Sequence, residues 1–398
     1  MRMTKFNSCL SIFLITFIFI GTTHAQKKMI STIKWRIIEE LPNKNISQDN
    51  LGIAGAVIGV NENVMMVAGG SNFPDAKPWE GGKKEYYDDI FVLQLKNHSF
   101  KWNKTINTKL LQPIAYSACV STDSGIVCIG GENAKGLSKE VFIFKWDKKN
   151  QKIAFKSLPS LPAPVTNLSA TCIGNKIYIV GGENEKNALA NFMSIDLDEE
   201  NPQWQILPSL PNALSHTVSV TQSNGKEDCI YVIGGRAKSD SGITNLFSSV
   251  FCFIPSSNNW KKLNNINNDH KVIHISAASA VPFGKKFIII SGSDDGTFFS
   301  QLEHLNLSIT RASNDDERQV LIQRKMNIIH NHPGFNKSVL LYNTVTGKWS
   351  NIGVMPYAPV TTTALKWENK IFIAGGEIKP GERTPDILMG NLICKKLF

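Results

Sequence analysis

The sequence predicts an all-β protein, a six-bladed β-propeller whose ring is closed by its own N-terminal strand. Three observations predict it. A glycine doublet recurs along the chain, at Gly69-Gly70, Gly130-Gly131, Gly181-Gly182, Gly234-Gly235 and Gly375-Gly376, with a degenerate copy at Ser291-Gly292. A continuous apolar run precedes every copy. The last copy lacks an outer strand, and a strand of the right kind stands near the N-terminus.

The doublets are spaced by 61, 51, 53, 57 and 84 residues. A period near 50 residues is that of a four-stranded propeller blade, and a glycine doublet at that period resembles the kelch repeat. The runs before the doublets (64–68, 126–129, 177–180, 230–233, 287–290 and 371–374) are apolar throughout, which fits strands buried on both faces. Trp102, Trp204, Trp260 and Trp349 mark short outer strands, with Phe155 in that place in the second copy; Leu158-Pro159, Leu207-Pro208 and Met355-Pro356 mark turns. After Gly376 the chain supplies only one more strand, around 387–393. Its outer partner is expected at 35–38, ahead of Leu41-Pro42. Closure removes the exposed sheet edges, so residues 26–398 read as a single propeller. The spacing of 84 marks an insertion at 297–335 in the fifth blade. Leu302, Leu305, Leu307 and Ile309, followed by the polar run 315–319, predict a partly helical cap.

Residues 1–25 read as an export signal. Arg2 and Lys5 give a positive start, residues 10–20 are nearly all apolar, and Thr23-His24-Ala25 offers a small residue at the cleavage point. The run is short for a bilayer span and no later segment is apolar enough, so no membrane contact is expected after cleavage. The predicted location is outside the cytoplasm, the periplasm in a Gram-negative cell. The formal net charge of +10 falls to +8 once Arg2 and Lys5 leave. Lysines and arginines are scattered, and no nucleic-acid motif is present. Seven cysteines occur, Cys9 in the signal and six in apparent strands, without metal-ligand spacing. Cys119 and Cys128 flank a turn symmetrically. Buried free thiols are the favoured reading, a cross-strand disulfide the alternative.

In a four-stranded blade the loop between the second and third strands opens on the face where the blade-to-blade links run. The residues after each doublet are therefore expected to converge around one mouth of the central channel: Ser71, Glu132, Glu183, Arg236, Ser293 with Asp294, and Glu377. Two of these loops exceed what a turn requires. The loop 71–89 mixes aromatics, prolines and charges, including Asn72, Glu80, Lys83 and Lys84, a composition suited to a sugar. The loop 376–385 places Glu377 six residues from Arg383, and the Pro380-Gly381 turn between them brings both to one small volume.

The loop Gly376-Glu377-Ile378-Lys379-Pro380-Gly381-Glu382-Arg383-Thr384 and the segment Trp79-Glu80-Gly81-Gly82-Lys83-Lys84 resemble those of bacterial sialic acid mutarotases, the N-acetylneuraminate epimerases. The insertion with Phe299, Glu303, Leu305 and Asn306, and Phe335-Asn336-Lys337 after it, are similar too. The blade order resembles the cyclically permuted branch of that family. The resemblance implies interconversion of the α and β anomers of an acidic sugar, with Glu377 and Arg383 as the catalytic pair. Asn72, Glu80, Lys83, Lys84 and Arg236 are the expected substrate-binding residues. Mutarotation requires no cofactor and no metal. A carboxylate can shuttle the proton, and an arginine either holds the sugar carboxylate or stabilises developing oxyanion charge.

Two other classes compete, and a third, an intracellular-type protein scaffold, is opposed by the export signal. A non-catalytic carbohydrate-binding propeller would keep the aromatic loop without an acid–base pair. A copper oxidase on the same fold needs matched Tyr, His and Cys ligands. His216, His274, His304, His330 and His332 are present, but no matched Tyr and Cys accompany them.

Overall fold

The computed structural model describes residues 28–43 and 49–396; the export signal lies outside them. Six four-stranded antiparallel sheets are arranged as blades. Blade 1 runs from its inner strand Val57–Asn61 through Val64–Ala68 and Ile90–Lys96 to its outer strand Ser99–Trp102. Blades 2 to 5 repeat the order, with inner strands Ala118–Thr122, Ser169–Ile173, Val218–Ser223 and Ser279–Phe283. Blade 6 takes Ala364–Trp367, Lys370–Ala374 and Asp386–Lys396 from the C-terminal end, and its outer strand is Lys28–Glu40. That strand pairs antiparallel with Asp386–Lys396 from Lys28↔Lys396 to Glu40↔Asp386. The predicted closure by the N-terminal strand is thus observed.

The core explains why the second strands are apolar without alternation. Buried side chains form six clusters, one between each pair of neighbouring blades. In blade 1, Val64, Met66 and Ala68 face blade 2, while Met65 and Val67 face blade 6. Ile126 and Cys128 of blade 2 face blade 1, and Val127 and Ile129 face blade 3. Each fully buried aliphatic contributes roughly 1.5–3 kcal/mol, so neither face of such a strand tolerates a polar side chain.

The doublets mark where each blade touches the next. The first glycine of each has φ between 61° and 66°. A Cβ there would meet a carbonyl of the following link, at 2.4 Å for Gly69 against Ile114 and 2.2 Å for Gly181 against Leu214. In blade 5 that position is Gly292, whose Cβ would meet Pro359 O at 2.4 Å. The degenerate doublet is therefore Gly292-Ser293, one residue later than the sequence pattern suggested. An irregularity in pairing between Ser291 and Ser293 carries the slip.

Tryptophans staple the rim. Trp102 Nε1 donates to Glu40 O at 2.7 Å, Trp204 Nε1 to Pro159 O at 2.8 Å and Trp260 Nε1 to Pro208 O at 2.7 Å, each reaching the preceding blade. Trp204→Phe keeps an aromatic ring, though a smaller one, but loses the donor and is expected to cost roughly 1–2 kcal/mol, read from urea unfolding. Cys119 and Cys128 are register partners on neighbouring strands of blade 2, and both thiols are free. Burial pushes the Cys128 thiol up to about 12. Mass spectrometry under non-reducing conditions should find the pair unbridged.

Between the second and third strands of blade 5 lie two helices, α1 (Thr297–Arg311) and α2 (Asp315–His330). Asp294 Oδ1 accepts from Gly296 N at 2.9 Å just ahead of α1. Glu303 of α1 accepts from Thr244 N and Oγ1, each at 2.7 Å, which ties the helix to the blade 4 loop.

Candidate active site

The site is framed by the backbone. Gly55, Tyr116, Asn167, His216, Ala277 and Thr361 occupy equivalent places just before the six inner strands, and all have φ between 51° and 68°. Each donates its N–H to the carbonyl of the equivalent residue one blade back: Gly55 to Thr361 (2.8 Å), Tyr116 to Gly55 (2.8 Å), Asn167 to Tyr116 (3.0 Å), His216 to Asn167 (3.1 Å), Ala277 to His216 (2.9 Å) and Thr361 to Ala277 (3.1 Å). The result is a closed ring of hydrogen bonds at one end of the central channel. Five of its members are not glycine, and the left-handed conformation costs such residues about 1–3 kcal/mol each. The ring holds them there. It also fixes the six residues before it, which form bridges to the post-doublet residues: Ala54 to Ser71, Ala115 to Glu132, Thr166 to Glu183, Ser215 to Arg236, Ser276 to Asp294 and Val360 to Glu377. The post-doublet residues therefore surround the ring at one end of the channel, while the ring residues themselves help line the channel cavity of about 520 Å³ that runs along the inner strands.

Glu377 and Arg383 come together as cross-strand partners in the blade 6 loop, either side of Gly381 at φ 69°. Arg383 Nη2 is 3.3 Å from Glu377 Oε2, and Gly381 N donates to Glu377 Oε1 at 3.0 Å. The Arg383 side chain is only 3% exposed, and its guanidinium stacks 4.6 Å from the Phe73 ring centre. Trp79 packs against Gly381, where a Cβ would fall 2.7 Å from the indole. The aromatic loop of blade 1 thus walls the charged loop of blade 6. Burial raises the proton affinity of Glu377 above the ordinary carboxylate range, while Arg383, Gly381 N–H, Arg236 and Lys84 pull it back.

Arg236 enters the same field from blade 4. Its Nη2 donates to His216 Nε2 at 2.9 Å, and its guanidinium lies 4.7 Å from the Phe299 ring centre in α1. A guanidinium only donates, so His216 Nε2 is the acceptor and the ring proton sits on Nδ1, 3.2 Å from Ser215 Oγ. Burial, then the charge of Arg236, hold the His216 pKa well below its usual value, so the imidazole is neutral.

The other carboxylates are more committed. Glu132 Oε1 accepts from Lys84 Nζ at 3.0 Å and from Tyr86 OH at 2.7 Å. Glu183 Oε1 accepts from Asn167 Nδ2 at 2.7 Å. Of the residues expected to bind substrate, Lys84 and Arg236 act on Glu377, and three do not. The Asn72 amide holds the chain at Leu51 O and Gly52 O, at 2.9 and 2.6 Å, and accepts from Phe73 N at 2.7 Å. Glu80 accepts from Lys77 N at 3.1 Å and caps the short turn Pro78–Glu80. Lys83 is exposed and, with Lys84 and Tyr86, lines a cavity of about 410 Å³ between the loops of blades 1 and 2. A loop mixing prolines with charge gives no sign of which polar groups its own turns consume. His216 and Tyr116 were not among the expected site residues. For Tyr116 a signal was present, since Gly55, Tyr116, Asn167 and Thr361 each stand fourteen residues ahead of a first glycine; His216 stands eighteen ahead of Gly234 and breaks the spacing.

The profile of the N-acetylneuraminate epimerase family matches residues 20–153 and 158–397. The N-acetylneuraminate epimerase of Salmonella arizonae is 28% identical over 232 residues, 57% of this chain and 56% of that protein. That of Haemophilus influenzae is 24% identical over 242 residues, 60% of each chain. The aligned stretches thus span little more than half the length of these relatives. Because the family profile runs through all six blades, the chain belongs to the N-acetylneuraminate epimerase family.

Proposed function

We propose that the protein is a mutarotase for N-acetylneuraminate, exchanging the α and β anomers through the open-chain ketone. The observation that carries this reading is a half-buried carboxylate, Glu377, held 3.3 Å from a nearly sealed guanidinium, Arg383, at the channel mouth. A general base works best when its pKa approaches the working pH, and burial moves Glu377 in that direction.

Glu377 takes the proton of the anomeric hydroxyl. The C2–O6 ring bond breaks, C2 becomes the ketone, and O6 takes the proton back from Glu377. The C1–C2 unit turns about C2–C3, and the same steps in reverse close the ring on the other face. No atom or electron is left over, and the carboxylate ends ionised as it began. Arg383, fixed by Glu377 and Phe73, keeps the carboxylate ionised between turnovers and opposes negative charge on the sugar oxygen as the proton leaves.

The N-terminal pattern around Arg2, Lys5 and the apolar run 10–20 supports export, and the periplasm in a Gram-negative cell; a mature chain beginning at Gln26 is the check. The activity is tested by NMR of anomer exchange in N-acetylneuraminate with purified protein. Acceleration over buffer supports the reading. Binding without acceleration would make the protein a sugar-binding propeller instead.

A further inference from the structure

Two arginines reach the channel mouth, and they are not equivalent. Arg383 pairs with Glu377 through Nη2 at 3.3 Å, and its side chain is nearly sealed from solvent, with Nε and Nη1 enclosed and unpartnered. Both residues are partly buried as a whole, but no Arg236 nitrogen is among the enclosed, unpartnered atoms of the described residues. Among the described residues its side-chain hydrogen bond is to neutral His216, and no carboxylate stands within ion-pair distance. Asp294, Glu183, Glu377 and Glu303 act on its charge only from further away. They keep the guanidinium charged without occupying it. His216 holds one nitrogen from the channel side, and Phe299 covers one face of the plane. What remains is the outer edge of a rigid guanidinium fork, the part that pairs with a carboxylate through two parallel hydrogen bonds.

We propose that Arg236 is the seat of the substrate's C1 carboxylate, with His216 and Phe299 as its positioning residues. This rests on the reading of the site as one for an acidic sugar. It divides the labour. The carboxylate is anchored by blade 4 and α1, while Glu377 and Arg383 work at the adjoining anomeric carbon from blade 6. The anchor also gives the helical insertion a use, since Phe299 comes from α1 and Glu303 pins that helix to the loop beside Arg236.

The test is binding by calorimetry, with N-acetylneuraminate and its C1 methyl ester as probes. The ester keeps every other group of the sugar and removes the charge. Wild type should prefer the acid by roughly ten- to a hundredfold, the size of a charge-assisted hydrogen-bond pair. Arg236→Gln should abolish that preference by weakening the acid and leaving the ester unchanged. Arg236→Lys should restore part of it, because an ammonium lacks the planar fork. His216→Phe, which removes the acceptor beneath the guanidinium, should reduce the preference without reversing it. Arg383→Gln should lose less of the preference than Arg236→Gln does. A wild type indifferent to esterification overturns the proposal, as does a preference that survives in Arg236→Gln or falls further in Arg383→Gln than in Arg236→Gln. Exchange measured on the same preparations separates the two readings. An acid preference lost with Arg236 but no catalysed exchange would sink the mutarotase and leave the carboxylate seat standing.

Discussion

Glu377→Gln should lose on the order of 10²–10⁴-fold of the catalysed anomer exchange while keeping most of its affinity for N-acetylneuraminate. Glutamine preserves the size of the side chain and can still accept from Gly381 N–H, so the loop 377–383 keeps its turn. It cannot take a proton from the anomeric hydroxyl and return it. The pH dependence of the wild type follows from the same group. Burial raises the Glu377 pKa, and the base is active only when ionised. Activity should therefore fall, as pH drops, at a higher pH than an exposed glutamate would give. The readout is the NMR exchange rate across pH with the spontaneous rate subtracted. An acid limb lying within the ordinary carboxylate range, or a wild-type rate in Glu377→Gln, would move the base elsewhere. Glu183 would then be a better candidate than Glu132, whose Oε1 already accepts from both Lys84 and Tyr86.

Much of this arrangement was legible in the sequence because propeller constraints repeat. A strand sandwiched between two blades must be apolar on both faces, so 64–68 and its five counterparts announce themselves. A chain crossing over the next blade's carbonyl has no room for a Cβ, so the doublets do as well. Glu377 and Arg383 were legible for a local reason: a Pro-Gly turn of that length brings its two ends into register. The rest depends on contacts between blades, which no local pattern states. Asn72 looked like a sugar ligand, yet its amide secures residues 51 and 52. His216 looked like a stray candidate metal ligand, yet it is a ring member whose only free acceptor nitrogen faces Arg236. In blade 5 the bulge between Ser291 and Ser293 displaced the doublet by one residue, so that Asp294 alone, rather than Ser293, bridges to the link.

Arg383→Gln should cost about 10²–10³-fold in exchange, the usual loss when one donor to developing negative charge is removed. The variant should also respond to pH differently. Arg383 is the strongest of the influences that oppose burial in setting the proton affinity of Glu377. Without it the Glu377 pKa rises further, so the acid limb of the rate profile moves to higher pH. Part of the lost activity should return on raising the pH, which a purely structural defect would not allow. Stability gives an independent reading of the same shift. A carboxylate whose folded pKa exceeds its unfolded value binds more protons when folded, so folding weakens as pH rises between the two values. The stability gap between Arg383→Gln and wild type should therefore widen as pH rises past the ordinary carboxylate range and through the raised value. Below that range both forms are protonated, folded and unfolded alike, and the gap should shrink to the loss of the Phe73 stacking and of the buried guanidinium's own packing. Thermal melts of both proteins at matched acidic and alkaline pH are the measurement. Parallel shifts at all pH values would mean that Arg383 supports the loop but does not tune Glu377, and the proton-holding role assigned to the pair would fall with that result.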